Sequence, residues 1–203
     1  MSQIKLKHSG GNSVIIAAPD SNPASDRTLK LPSDVDSTID TLKRQYNVLQ
    51  VKNVTKTDTF SSSLSQYDAT SITGMDLAFT ASSTSNRLLF QINLNVCAST
   101  NNRPVAFFLV ADGTKIDAAT GDAASNRYRS TATGLVDYTS TMELLQMNYY
   151  HTPTSTSSIT YGIKIQNSHD TTNTLYINKT HNDSDTIFYH RTISSMTIME
   201  IAA

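Results

Sequence analysis

Between Arg87 and Ser99, Leu88, Phe90, Ile92, Leu94 and Val96 occupy every second position. Gln91, Asn93, Asn95 and Cys97 fill the positions between them, and Leu89 alone breaks the polar set. A period of two with one apolar side predicts a half-buried antiparallel strand. The same alternation recurs in Met75, Leu77 and Phe79 and in Ile159, Tyr161, Ile163 and Ile165, and Glu143 to Tyr150 reads as another strand. Leu175 to Asn178, Ile187 to His190 and Met196 to Ile201 extend the set. Val105 to Ala111 is apolar on both sides and predicts a central strand. Asp112-Gly113 then signals a tight hairpin into Thr114-Lys115-Ile116. Short strands separated by Ser/Thr/Asn-rich turns describe an antiparallel β-sandwich or jelly roll over residues 51–203. The strand Thr197–Ile201 is expected to close a sheet, so deleting it should unfold the domain.

The leading residues read differently. Ile4, Leu6 and His8 alternate with Lys5, Lys7 and Ser9; Gly10-Gly11-Asn12 marks a turn; Val14, Ile16 and Ala18 alternate again. Thr28-Leu29-Lys30-Leu31 is a third short strand, ended by Pro32. Three strands of this length bury too little apolar surface to stand alone, so residues 1–35 are expected to need a partner. Over residues 36–50, Ile39, Leu42, Tyr46 and Leu49 are spaced three, four and three apart, which fits the seam of a short coiled coil. Asp36 or Ser37 could cap such a helix, though one so short is marginal in water. The alternative reading makes Tyr46 to Thr55 the first strand of the sandwich.

Composition narrows the function classes. Of 203 residues, 54 are Ser or Thr and 15 are Asn, types that disfavour long helices. With 16 Lys+Arg against 17 Asp+Glu, the net charge of -1 argues against a nucleic-acid clamp or a polybasic membrane anchor. Val105 to Ala111 is the longest apolar run, far short of the roughly 20 residues of a membrane helix. The start lacks the apolar core of a signal peptide, so export by the usual route is not expected. Cys97 is the only cysteine, so no intrachain disulfide forms. It lies on the side of its strand opposite Leu88, Phe90 and Ile92, where exposure or a subunit contact is expected.

Two segments together are familiar. The run Ile4-Lys5-Leu6-Lys7-His8-Ser9-Gly10-Gly11-Asn12, continuing through Ala18-Pro19-Asp20-Ser21-Asn22-Pro23 to Thr28-Leu29-Lys30-Leu31-Pro32, resembles the opening of fibre and other virion structural proteins of tailed bacteriophages, cyanophages and marine phages among them. Thr57-Asp58-Thr59-Phe60-Ser61, Ile159-Thr160-Tyr161-Gly162-Ile163, Leu175-Tyr176-Ile177-Asn178 and the closing Ser194–Ile201 look like the β-rich head attached to such segments. The resemblance covers nearly the whole chain and is weakest over 36–50. It implies a homotrimeric tail fibre assembled in the host cytoplasm. Residues 1–35 would attach it to other virion proteins, 36–50 would gather three chains, and the head would bind a host surface glycan or protein. A capsid decoration or head-fibre protein has the same build. The short spacer does not fit a long reaching fibre.

Candidate chemistry is sparse. No G-x-S-x-G is present, and among so many Ser a Ser/His/Asp coincidence carries no information. Asp183 and Asp185 could serve as paired carboxylates or hold calcium, but a polar turn favours Asp for local backbone bonding anyway. His169-Asp170 and His181-Asn182-Asp183 could meet and hold a cation; exposed turn chemistry is the simpler account. Three Asn-x-Ser/Thr matches, at Asn53, Asn178 and Asn182, are what chance supplies here. The chain is thus expected to be no enzyme, to need no cofactor, to bind no nucleic acid and to insert in no membrane; a carbohydrate-binding module or polysaccharide depolymerase is the remaining alternative. Receptor recognition by aromatic rings with amide and guanidinium donors would use Asn101, Asn102 and Arg103, Arg127, Tyr128 and Arg129, and Tyr150 and His151. Tyr128 between two arginines is the best single patch, although Tyr149 and Tyr150 also read as ordinary strand positions.

Overall fold

The computed structural model describes residues 3–7, 10, 13–17 and 46–203. The chain divides into two compact units, Met1–Asp40 and Thr41–Ala203. In the first, β1 (Gln3–Lys7) and β2 (Ser13–Ala17) form an antiparallel hairpin whose register runs from Gln3 opposite Ala17 to Lys7 opposite Ser13. Gly10 sits in the intervening turn, as the Gly-Gly-Asn signal requires. The expected strand Thr28–Leu31 lies outside the described residues.

The second unit is a sandwich of two antiparallel sheets. The first sheet centres on β7 (Arg87–Ala98). Along one edge β7 pairs with β11 (Glu143–His151). Along the other it pairs end to end with β14 (Ser194–Ile201) and β13 (Asn173–Ile177). These in turn carry β3 (Val48–Lys56) and β4 (Phe60–Leu64). The second sheet centres on β12 (Ser158–Asn167), flanked by β5 (Ala69–Ser71) and β6 (Leu77–Thr80) on one edge. On its other edge lies β8 (Arg103–Ala111), followed outward by β10 (Ala132–Val136) and β9 (Thr114–Lys115). A 3-10 turn, Asp117–Ala119, follows β9.

The inward positions are those the period of two selects. Leu88, Phe90, Ile92, Leu94 and Val96 meet Val105, Phe107, Leu109, Ile159, Tyr161, Ile163 and Ile165 in one continuous core. Strand β8 is central and buried on both sides, which is why it is apolar on both. Asp112 and Gly113 both take positive φ (47° and 77°), the backbone of a two-residue hairpin. A Cβ at Gly162 in β12 would meet the Asp76 carboxylate, so a larger residue there would have to turn that exposed side chain aside.

Four expectations are corrected. Val48–Lys56 is a strand, so Leu49 lies on β3, and Tyr46 sits in a turn at φ 68°. Neither continues a helical seam; pairing with β14 prevails over a spacing that a short helix could not hold alone. Ile39 and Leu42 lie outside the described residues. Second, the closing strand β14 does not edge the sheet but runs inside it, between β3 and β7. Third, Ile187–His190 is not a strand: Ile187 and Phe188 are exposed on a loop closed by Arg191 and Lys179 on the Asp183 carboxylate. Fourth, Cys97 is buried beneath the loop after β10, its thiol 3.5 Å from the Thr139 carbonyl. Burial pushes the thiol up from its ordinary pKa.

Candidate functional site

The sequence-predicted receptor residues fall in three separate places. Asn101 and Asn102 form the tip between β7 and β8, and both are tied down. Asn101 Oδ1 accepts from the Thr139 amide (2.8 Å), and Asn102, at φ 54°, donates its amide to the Asp137 carbonyl (3.3 Å). Arg103 Nη1 lies 3.2 Å from His169 Nδ1, and His169 also contacts Asp170. His181 instead pairs with the Tyr176 hydroxyl (2.8 Å), so the two histidines are engaged separately. Arg191 takes Asp183 through two bonds of 2.8 and 2.6 Å, with Lys179 at 3.4 Å. Asp183 is thereby occupied by cations of the chain itself.

Tyr150 and His151 lie at the opposite end of the sandwich, because His151 pairs with Leu88 whereas the Asn101 tip follows Ala98. His151 is a core residue, packed edge-on against Phe90 and Tyr161. Burial holds its imidazole below the ordinary pKa. It cannot present itself to a receptor, and this part of the expected set is withdrawn.

The third place is a built cleft. Its floor is one register row on the outer side of the second sheet, where Gln166 lies opposite both Ala69 and Ala106, and Ala106 opposite Thr133. Two turns rise from opposite edges of that sheet. One, between β4 and β5, carries Tyr67 at φ 58°; Gln166 Nε2 donates to its carbonyl (2.8 Å) and the Asp68 amide to Ser65 (3.2 Å). The other is the loop before β10, which brings Tyr128 to Tyr67. The two rings stack with centroids 4.4 Å apart and planes 20° from parallel. They enclose a cleft of about 320 Å³ that Asn126, Arg127, Ser130 and Ser168 also line.

Within the predicted triplet the roles divide. Arg127 and Tyr128 border the cleft, and Tyr128 is 62% exposed. Arg129 braces the loop instead, donating from Nε to the Gly121 carbonyl (2.6 Å) and from Nη2 to the Asp117 carbonyl (3.0 Å). Sequence reasoning missed Tyr67 and Gln166. Gln166 is buried, yet its Oε1 has no hydrogen-bond partner in the protein. A buried carbonyl oxygen without a donor is costly and calls for a water or a ligand donor. The signal for Tyr67 was available: an aromatic residue in a polar turn, Ser65-Gln66-Tyr67-Asp68. The arrangement offers an exposed ring face, a guanidinium, amides and hydroxyls, which is chemistry for holding a polyhydroxylated ligand.

No protein family and no curated protein matches the chain. Among solved structures, it is similar over 95% of its length to a chain of infectious bursal disease virus, Gx strain, at 14% identity and a TM-score of 0.40, covering 43% of that chain. It is similar over 93% of its length to the VP2 subviral particle of the same virus, at 17% identity and a TM-score of 0.32, covering 50% of that chain. The chain thus spans about half the length of those two chains. At these scores the likeness carries no argument, and the all-β antiparallel sandwich rests on the strands and registers described above.

Proposed function

We propose that the protein is a virion structural component, a homotrimeric fibre whose sandwich head recognises a host surface glycan through the cleft that Tyr67 and Tyr128 border. Residues 1–35 attach it to other virion proteins after synthesis in the host cytoplasm. The attachment role rests on the sequence resemblance of that segment. The binding role rests on one observation: two tyrosines from opposite edges of a sheet stack over a row whose Gln166 carbonyl oxygen lacks a donor. A sugar ring on the free face of Tyr128 would offer C–H groups to the ring and hydroxyls to Arg127, Asn126 and Gln166. The reading is one of binding and not of catalysis. Single-site affinity would be weak, and three heads on one fibre would raise it through effective concentration.

The test is a titration of the full-length protein with oligosaccharides released from host surface polysaccharide. Wild type is expected to bind them without shortening them. Tyr128→Ala and Arg127→Ala should each weaken binding at least tenfold, about 1.4 kcal/mol. Depolymerisation of the polysaccharide, or binding indifferent to Tyr128, would overturn the assignment. Electron microscopy of the particle separates a tail fibre from a capsid decoration by location.

A further inference from the structure

The outer side of the first sheet carries an ordered pattern that the cleft does not explain. The registers of β3, β14, β7 and β11 align its residues in rows across all four strands. One row is wholly apolar: Val51, Met199, Leu89 and Tyr150. The next is wholly amide and hydroxyl: Asn53, Thr197, Gln91 and Asn148. The third repeats that chemistry with Thr55, Ser195, Asn93 and Gln146. None of the three rows contains a charged residue, although 33 of the 203 residues are charged. The apolar row continues toward Val48 and Tyr46, and Tyr46, Val48, Val51 and Tyr150 are each more than half exposed. Beside it, Tyr46, Arg87, Tyr150, Ile201 and Ala202 border a hollow of about 680 Å³, and Arg87 brings a charge to the margin of the face.

We infer that this face is a self-association surface, occupied by the same face of further copies of this chain. The inference rests on the trimeric reading proposed above and names where the heads meet. Charge selects the occupant. Depletion of charge marks the centre of protein interfaces, and these three uncharged rows brought together around an axis meet no like-charge repulsion, Arg87 lying at their margin. The hydroxyl and amide rows can donate and accept alike, so they complement themselves. The apolar row lies at the end of the sandwich where Tyr46 donates its amide to the Ala202 carbonyl (3.0 Å). Four strands at about 4.8 Å spacing, aligned over Ser195–Ile201 of β14 at about 3.4 Å rise, cover roughly 460 Å², a little over half the ~800 Å² per partner of a standard interface, so these rows form the centre of the contact and not the whole of it.

The experiment uses the full-length protein in light scattering coupled to size exclusion, across a hundredfold range of concentration. Wild type is expected at the mass of three 22.2 kDa chains. The double variant Val51→Glu/Tyr150→Glu alters two side chains that are exposed in the single chain, and should dissociate at least tenfold more readily. Leu135→Glu, equally exposed but on the other sheet, should assemble as wild type does. Circular dichroism and thermal unfolding confirm that each variant is folded. If wild type is trimeric and the double variant is unchanged, the face is not the interface, while the trimeric reading stands. If wild type is a single chain at every concentration, both fall. If that single chain also shows this face protected in hydrogen exchange, its own leading residues cover it.

Discussion

Glu200 is a fully buried carboxylate on a central strand, and no cation among the described residues pairs with it. Neutral donors hold it instead. Oε1 accepts from the Ser82 amide (2.7 Å), the Ser82 hydroxyl (2.8 Å) and Asn86 Nδ2 (2.7 Å), and Oε2 from Gln50 Nε2 (2.6 Å). Burial pushes its pKa up, and the bonds from Asn86, Gln50 and Ser82 outweigh burial and hold it below the ordinary value. Glu200→Gln keeps the volume and removes the charge. Its carbonyl can face Ser82 and Asn86, but its amide nitrogen then meets Gln50 Nε2. Turning the Gln50 amide does not help, because the same nitrogen donates to the Thr80 carbonyl (2.7 Å). One charge-assisted bond is lost and a donor is stranded, while three bonds weaken, for a cost of about 2–3 kcal/mol. For a chain of this size that lowers Tm by roughly 4–12 °C. The sign of the pH dependence is fixed. A carboxyl with a depressed folded pKa contributes stability above its unfolded pKa of about 4.3, and loses it as pH falls through the folded value. Urea unfolding of both proteins at pH 7 should therefore show the full gap, and the gap should narrow in acid below pH 4. A variant within about 0.5 kcal/mol of wild type at pH 7, or a gap that acid leaves unchanged, refutes the reasoning.

Asn178 ends β13 at φ 62°, buried, donating to the Lys56 (2.9 Å) and Asp58 (3.0 Å) carbonyls and accepting from Ser194 Oγ (2.7 Å). Asn178→Ala should lower stability by about 3–4 kcal/mol in denaturant unfolding, and Asn178→Gly by about 1 kcal/mol less, because glycine keeps the left-handed backbone; equal losses would show that the backbone strain does not matter. Tyr161 is buried with its hydroxyl unpartnered, and burial, with the Asp112 charge, pushes its phenol up to about 12. Tyr161→Phe should therefore be neutral or raise stability by up to about 1 kcal/mol, whereas a loss above that would reveal a hidden partner for the hydroxyl. The Cys97 thiol, buried and raised in pKa, should react with iodoacetamide only after unfolding; rapid labelling of the native protein at neutral pH would contradict its placement.

Much of the fold was legible because its main strands obey a period of two. Residues of β7, β12 and β14 face the core as their alternation requires, and Asp112-Gly113 turns where its chemistry says. The missed strands are the ones whose residues look like turns. Strand β4 is Phe-Ser-Ser-Ser-Leu, β5 Ala-Thr-Ser and β10 Ala-Thr-Gly-Leu-Val; each is held by the ladder of a stronger neighbour, β13, β12 or β8. The opposite error occurred at Ile187–His190, where an apolar run suggests a strand and no ladder receives it. The cleft was half legible. An aromatic residue between two arginines marked the loop, but Tyr67 lies 61 positions earlier, and only the stacking of two turns from opposite edges joins them. Gln166 sits on the solvent parity of its strand; nothing in its own sequence neighbourhood reports that a loop crosses above and buries it.

The abundance of Asn has a structural cause that composition alone did not suggest. Several loops at the ends of this sandwich are fastened by buried carboxamides, while the one before β14 is closed by the Asp183 ion pairs. Asn167 Nδ2 reaches the Leu64, Ser65 and Thr171 carbonyls at 3.1, 3.1 and 2.8 Å, binding the end of β12 to two loops. Asn178 does the same for the chain between β3 and β4, and Asn86 for the closing strand through Glu200. A carboxamide can satisfy two backbone carbonyls that would otherwise be buried unpaired, at a far smaller desolvation cost than a charged side chain would carry. The same economy suits the outer side of the first sheet. There Gln146 Nε2 donates to Asn93 Oδ1 (2.7 Å) and Asn53 Nδ2 to Thr197 Oγ1 (2.8 Å), so the polar rows are cross-linked yet neutral. A sheet whose polar groups already bond to one another approaches a neighbour with little left to desolvate. The low charge of the chain therefore serves the closure of its loops and the neutrality of its face through one choice of residue type.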